Sequence, residues 1–303
     1  MYNMLYKLTF SSPVHFGKGR LNSSDVGITA DTLFSAIFKE LIKEDEKKAH
    51  SFYTACKTGA ITFTDLFPYS EDKYFIPKPF VHVEAAVKGD SSVKKSFKKL
   101  SFIPFEDLPI YMSGNYDPKK TVEFGISSVR TRVAVNYEGD NLPYNVGLWQ
   151  FNNNSGLYLL ARANEEDHYL FGDALYSLEY TGIGGKISSG LGKFTCVEET
   201  PSKQMEDSIS QTGSLYMTLA TAMATNEELE DTLAGATFNI VKRSGFVASE
   251  KYSETPLKKR DMYCFSSGSC FKNRFNGDIF DVSTEEGSHP VYRYARPFFI
   301  TVR

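Results

Sequence analysis

The hydrophobic patterning of this chain predicts an α+β protein of two units, and three observations carry that reading. Apolar residues switch along the sequence between a period of two and a period near 3.6. Residues 1–200 run in the order strand, helix, strands, helix, strand. A polar stretch, Pro201 to Gly213, then reads as a linker to a shorter series of strands over 213–303. The length of 303 residues fits two domains of about 150 residues, or one domain with large insertions. With 41% hydrophobic and 23% charged residues the chain can bury a core, which excludes disorder throughout.

Taken in order, Met4, Tyr6, Leu8 and Phe10 alternate with Leu5, Lys7 and Thr9 as a first strand. Leu33, Phe34, Ile37, Phe38, Leu41 and Ile42 recur at helical spacing. Thr29 and Asp31 stand at that helix's start and Lys43, Lys47 and Lys48 beyond its end, as helix termini prefer. Ile61 and Phe63 make a short strand. Pro68, Pro77, Pro79, Pro104, Pro109 and Pro118 break the pattern from 64 to 128, so an insertion is expected there. Val129, Thr131, Val133 and Val135 form one face of a strand, which places Arg130 and Arg132 together on the other. Strands over Asn145–Phe151 and Gly156–Ala161, a helix marked by Leu170, Phe171, Ala174, Leu175 and Leu178, and a strand near Lys193–Val197 follow. That order is the one of a split βαβ, ferredoxin-like unit. In the second unit Leu215, Met217 and Leu219 begin a strand and Asn226–Ala234 a short acidic helix. Strands near Phe238–Val241, Met262–Phe265, Val291–Ala295 and Phe298–Val302 complete it.

The net charge of −3 argues against a generic nucleic-acid binder, but charge is unevenly spread. Glu198 to Thr237 holds eight acids and one Lys, whereas Asn239 to Phe275 holds eight Lys/Arg and three acids. A second basic block contains Lys88, Lys94, Lys95, Lys98 and Lys99 against Asp90. Such blocks suit a protein that binds one defined strand on one face and another partner on its acidic face; ordinary solvated surfaces are the competing reading. No apolar run reaches the roughly 18 residues of a membrane span, and the first residues lack signal-peptide blocks. The four cysteines, Cys56, Cys196, Cys264 and Cys270, form no C-x-x-C pair. A reduced, cytoplasmic protein without membrane contact, metal or cofactor is expected.

The strongest local signal is Gly182-Ile183-Gly184-Gly185-Lys186-Ile187-Ser188-Ser189-Gly190-Leu191-Gly192-Lys193. Five glycines in eleven residues allow close approach of another backbone, and consecutive N–H groups with Lys186, Ser188, Ser189 and Lys193 suit a phosphate. Ile187 follows Gly185-Lys186 where a Walker loop needs Ser or Thr. A parallel basic, hydroxyl-rich and aromatic pattern recurs in Lys242-Arg243-Ser244-Gly245-Phe246 and in Ser266-Ser267-Gly268-Ser269-Cys270-Phe271-Lys272. It describes a surface that clamps phosphates and stacks bases; the alternative is a turn with Phe246 and Phe271 in the core. Arg130 and Arg132 either line RNA or meet acidic neighbours. His15 and Lys18 stand with the RNA-binding candidates; His15 is also the one histidine placed to act as a general base, and a structural hydrogen-bonding role is the reading favoured over that. HExxH, HD and GGDD signatures are absent from the sequence.

These pieces, with Val14-His15-Phe16-Gly17, Ala30-Asp31-Thr32-Leu33-Phe34-Ser35-Ala36, Phe75-Ile76-Pro77-Lys78-Pro79, Phe265-Ser266-Ser267-Gly268-Ser269 and Tyr292-Arg293-Tyr294-Ala295-Arg296-Pro297, occur in a specific order. From Phe10 to Arg303 the chain resembles the fourth-subunit family of the Csm complex, RAMP-superfamily proteins of type III-A CRISPR effectors. The resemblance implies two ferredoxin-like, RRM-related units, with a hairpin thumb inserted in the first at about 64–150. It implies a non-catalytic subunit that binds the 5′ tag of the guide crRNA and docks between the large signalling subunit and the adjacent backbone RAMP subunit. Two residues depart from the family pattern: Ile187 replaces Arg, and Leu191 replaces an aromatic. The first removes a bidentate phosphate contact, for which Lys193 is expected to compensate as a point charge without being equivalent. Two other functions are carried forward: an endoribonuclease that processes precursor crRNA with His15 as base, and a protein-only adaptor that uses the acidic segment.

Overall fold

The computed structural model describes residues 1–83, 91–119, 122–133, 140–249 and 252–303. Strand β1 (Tyr2–Phe10) leads to helices α1 (Ala30–Glu44) and α2 (Glu46–Thr58), then to strands β2 (Thr62–Phe63), β3 (Phe67–Ser70) and β4 (Lys73–Pro77). Helix α3 (Ser91–Lys99), strand β5 (Phe102–Pro104) and the short helix α4 (Leu108–Met112) precede a long hairpin, β6 (Gly125–Val133) and β7 (Pro143–Phe151). Strand β8 (Ser155–Ala163), helix α5 (Glu165–Thr181) and strand β9 (Phe194–Glu199) follow. The remainder holds α6 (Lys203–Ser210), β10 (Tyr216–Thr218), α7 (Leu229–Leu233), β11 (Ile240–Arg243), β12 (Met262–Phe265), β13 (Cys270–Phe271), β14 (Ile279–Asp281), β15 (Tyr292–Tyr294) and β16 (Phe299–Thr301). The α+β expectation holds.

The main sheet is antiparallel, with order β5-β4-β3-β8-β1-β9 and β2 also on β8. β1 is its axis: it pairs with β8 from Tyr2↔Ala163 to Leu8↔Leu157, and with β9 from Leu5↔Glu199 to Phe10↔Phe194. In β8 every residue except Arg162 is buried, as a central strand covered on both faces requires. Of its expected stripe α1 buries Leu33, Phe34, Ile37 and Leu41, with Phe38 partly buried and Ile42 exposed. Phe34, Phe52 of α2, Phe63 of β2 and Phe171 of α5 form an aromatic core with Tyr294 from β15. Tyr294 sits 4.5 Å from Phe63, ring centre to ring centre, so residues of the C-terminal part complete the core of the first. C-terminal strands divide among a three-stranded sheet, β13-β10-β16, and two-stranded ladders β11-β12 and β14-β15.

Several expectations change. Lys47 and Lys48 do not trail a helix but begin a new one, α2, whose N-terminus the Asp45 side chain caps by accepting from the Lys47 N–H at 2.8 Å. The polar stretch Pro201–Gly213 is no bare linker: it contains α6, which buries Met205 and Ile209 one turn apart and is capped by Ser202. Residues read as insertion from 64 onward first supply β3 and β4 to the main sheet. The valine face of β6 is exposed, Val129 by 59% and Val133 by 50%, and Val135 lies outside the described residues. Lys88 and Asp90 also lie outside them.

Candidate nucleic-acid interface

Three segments meet at the end of β1. Val14 and Trp149 exchange backbone hydrogen bonds of 2.8 and 2.9 Å, which fixes residues 13–16 against β7. The Gly192 N–H donates to Pro13 O at 3.0 Å, and the Gly185 N–H to His15 O at 2.9 Å, which fixes the glycine-rich segment against the same residues. His15 joins all three. Its Nδ1 lies 2.7 Å from Gly147 O, so Nδ1 carries the proton and donates to that carbonyl. The side chain is buried, 7% exposed. It staples the glycine segment to the hairpin, in keeping with the structural role expected of it. Lys18 is exposed and pairs with Asp25 at 3.3 Å.

Within the glycine segment the glycines divide by purpose. A Cβ on Gly184 would lie 2.9 Å from Phe16 Cδ1, and one on Gly185 would lie 2.7 Å from His15 Cδ2. Gly182 and Gly192 are packed against each other's backbone and Ile183's. The close approach these four permit is therefore to the chain itself, and not, as the sequence suggests, to a foreign backbone. Gly190 differs: its φ is +80° and nothing lies within 4 Å of where its Cβ would stand. It ends a 3₁₀ turn, Ile187–Ser189, that presents Ser188, Ser189 and Gly190 to solvent. Lys193 is turned away and donates to Tyr180 O. Leu191 is buried with Val146 and Leu148 of β7, so it packs the loop under the hairpin.

β6 and β7 pair along their whole length, Gly125↔Phe151 to Val133↔Pro143. Residues opposite one another share a face. Arg130 faces with Val146 and Arg132 with Tyr144, on the side that packs on Leu191 at its base. The Lys186 ammonium stands 5.2 Å from the Tyr144 ring centre, a cation–π contact between loop and hairpin. Arg130 and Arg132 form no ion pair with another described residue. Lys186 and Arg132 thereby share Tyr144, with Arg130 two residues away along the same hairpin face and Ser188 and Ser189 on the turn that follows Lys186; the sequence reading did not single out this tyrosine. Hairpin register was the signal that could have found it.

The second expected site comes apart. Arg243 is not a surface cation: its Nε and Nη2 grip Asp31 at 3.1 and 2.9 Å, and Nη2 also reaches Thr29 at 2.7 Å and Thr32 at 3.1 Å. Arg293, 4% exposed, holds the other side of Asp31. Burial alone would raise the Asp31 carboxyl, but the two guanidiniums and the Arg243 and Thr29 hydrogen bonds outweigh it and bring it below its ordinary value. Beside it Asp65 accepts from the N–H groups of Ala30 at 2.7 Å and Thr221 at 2.9 Å, and from the Thr221 hydroxyl at 2.8 Å. Phe271 is fully buried among Phe265, Phe275 and Phe299, so it offers no stacking face. Ser269 is buried and its hydroxyl donates to Ser266 O at 2.7 Å. Gly268 is tucked against Lys78 and Phe80. Ser266 Oγ is buried without a partner among the described residues. What stays accessible is Lys242, paired with Asp261 at 2.6 Å, with Ser244, Phe246 at 57% exposure beside the open Gly245, and Lys272.

An antiparallel sheet with a hairpin folded over a glycine-rich turn defines an α+β protein. Its fold is shared with CRISPR effector subunits. A chain of a crystal structure of a Csm3–Csm4 subcomplex superimposes with TM-score 0.68 at 17% identity, covering 99% of each chain. A chain of a Csm1–Csm4 cassette in complex with cA4 gives TM-score 0.62 at 20% identity, covering 98% and 97%. Residues 211–302 match the family described as the CRISPR Csm4 C-terminal domain. The CRISPR system Cms protein Csm4 of Mycobacterium tuberculosis is 38% identical over 307 residues, 100% of this chain and 98% of that protein. Its namesake from Streptococcus thermophilus is 33% identical over 303 residues, 97% of each. This chain belongs to the Csm4 family, as the ordered motifs of the sequence imply.

Proposed function

We propose that this chain is the non-catalytic subunit of a type III-A Csm effector that holds the 5′ tag of the guide crRNA. On this reading it docks the large subunit to the adjacent backbone RAMP subunit, as partners of the kind named in the Csm1–Csm4 and Csm3–Csm4 structures would require. Residues 1–200 act as a ferredoxin-like RAMP unit with β6–β7 as its thumb, and 213–303 as a reduced second unit. The order β9-β1-β8 followed by β2 and β3, with α1 and α5 between the strands, supports that assignment. The observation that carries the RNA reading is the cation–π contact of Lys186, which precedes the exposed Ser188–Gly190 turn, with Tyr144, the hairpin residue opposite Arg132. Cations and hydroxyls there suit phosphates, which position a strand without reading its sequence. The exposed Ser244 and Phe246, with Lys242 and Lys272, form a secondary contact.

The test is the reconstituted complex carrying Lys186→Gln, Arg130→Gln and Arg132→Gln together. Co-purified crRNA is expected to fall while the protein stays in the complex. Undiminished crRNA would overturn the assignment. Labelled repeat RNA incubated with the isolated chain separates the endoribonuclease reading, which requires cleavage that disappears in His15→Ala.

A further inference from the structure

At the opposite end of β1 from the glycine-rich turn lies a cleft of about 240 Å³ walled by Arg162, Arg274 and Arg296. Asn3 pairs with Arg162 there, whereas Phe10 leads into the turn, and seven residues of strand separate the two sites by roughly 23 Å. Each guanidinium is fixed by neutral partners. Arg162 donates from Nε to Asn3 Oδ1 at 3.1 Å and from Nη2 to Ile209 O at 3.5 Å. Arg274 lies 4.1 Å over the Tyr216 ring and donates to Gln211 O at 3.0 Å. Arg296 donates to Asn276 O at 3.3 Å and to Lys57 O.

The carbonyls of Lys57, Ile209 and Gln211 belong to the ends of α2 and α6. A helix C-terminus carries about half a negative charge, so two such ends offset about one of the three positive charges. No described carboxylate forms an ion pair with any of the three arginines. Burial first, and then the charge of Arg274, holds the Arg162 guanidinium below its ordinary value. The Nε of Arg296 is buried without an acceptor among the described residues. Arg274 is exposed, so solutes reach the cleft.

We propose that this cleft is an anion site that takes a phosphoryl group. Its volume is below the roughly 300 Å³ of pockets that hold drug-sized ligands, so it fits one phosphate of a nucleotide or one phosphodiester of a strand. Planar guanidinium forks match phosphate oxygens in pairs, which favours a phosphoryl group over a halide. The site stands apart from the turn and hairpin and does not depend on their role.

Thermal melting of the full chain tests this, with millimolar pyrophosphate against sodium chloride at equal ionic strength, and with a short single-stranded RNA without terminal phosphates. A ligand that binds only the folded chain raises the melting temperature. Pyrophosphate is expected to raise it in the parent and in Lys193→Gln, and to lose that effect in Arg274→Gln and Arg162→Gln. A rise with the RNA alone, lost in the same two variants, supports the site and assigns its phosphate to a strand backbone. No rise beyond chloride with either compound, or a rise that survives in both arginine variants, overturns the proposal. Arg274→Gln removes an exposed side chain and keeps the test decisive if Arg162→Gln is poorly folded.

Discussion

The segment 182–193 and the segments 242–246 and 265–272 all carry glycines, hydroxyls and cations, yet the molecule uses them in opposite ways. In the first, Gly184, Gly185 and Gly192 pack inward on His15, Phe16 and Ile183, and Ser188 and Ser189 are left outside with the open Gly190. In the second, Arg243, Ser266, Ser269 and Phe271 are drawn inward, and Lys242, Lys272 and Phe246 stay out. The partner makes the difference. Arg243 meets a buried carboxylate, and an unpaired buried charge would be far costlier than the loss of a surface contact. Lys186 stands over the face of Tyr144 and forms no ion pair among the described residues. A basic, glycine-rich, aromatic pattern therefore marks a tightly constrained backbone, and the nearest acid decides whether it is a lock or a surface.

The largest effect that would break this contrast lies in the lock. Asp31→Asn leaves Arg293 buried beside a neutral group and is expected to cost about 3–5 kcal/mol, read as a lower melting temperature. Because the folded Asp31 carboxyl lies below its ordinary 3.8, its contribution is complete above that value and is lost as pH falls through the depressed one. Acid melts of the parent should therefore show a component that Asp31→Asn lacks. A variant as stable as the parent would show that Arg243 is free to serve RNA after all. Close in size is Phe271→Ala, expected to cost about 3–5 kcal/mol as a large core truncation. Phe246→Ala, at the exposed edge, should change stability by less than about 0.5 kcal/mol. Equal losses in the two would erase the distinction between inner and outer aromatics.

On the other side of the comparison, Gly185→Val drives a branched side chain into the His15 ring and should cost about 1–3 kcal/mol before any RNA is added. Its melting curve, taken beside that of Ser188→Ala with Ser189→Ala, tells a folding defect from a binding one; the double serine variant should melt like the parent. The smallest expected stability change, within about 0.5 kcal/mol, is that of Arg130→Ala with Arg132→Ala. Their effect should emerge in the salt dependence of RNA binding, where two lost phosphate contacts lower the slope by about 1.4. A parental slope would remove the hairpin from the interface.

Alternation in β1 and the apolar spacing of α1 and α5 were readable because each rests on neighbours two to four positions away. α2 escaped notice because its buried face, Ala49, Phe52, Ala55 and Cys56, contrasts weakly with its surroundings, and α6 because it buries only two residues. For the site, the sequence by itself determined where the backbone is tight and where cations and hydroxyls cluster. It could not determine which side of that backbone faces out. Gly185 is constrained by a histidine 170 positions earlier, and Arg243 by an aspartate 212 positions earlier. Only the tertiary structure brings such pairs together, because packing and ion pairing act over a few ångströms of space whatever the separation along the chain.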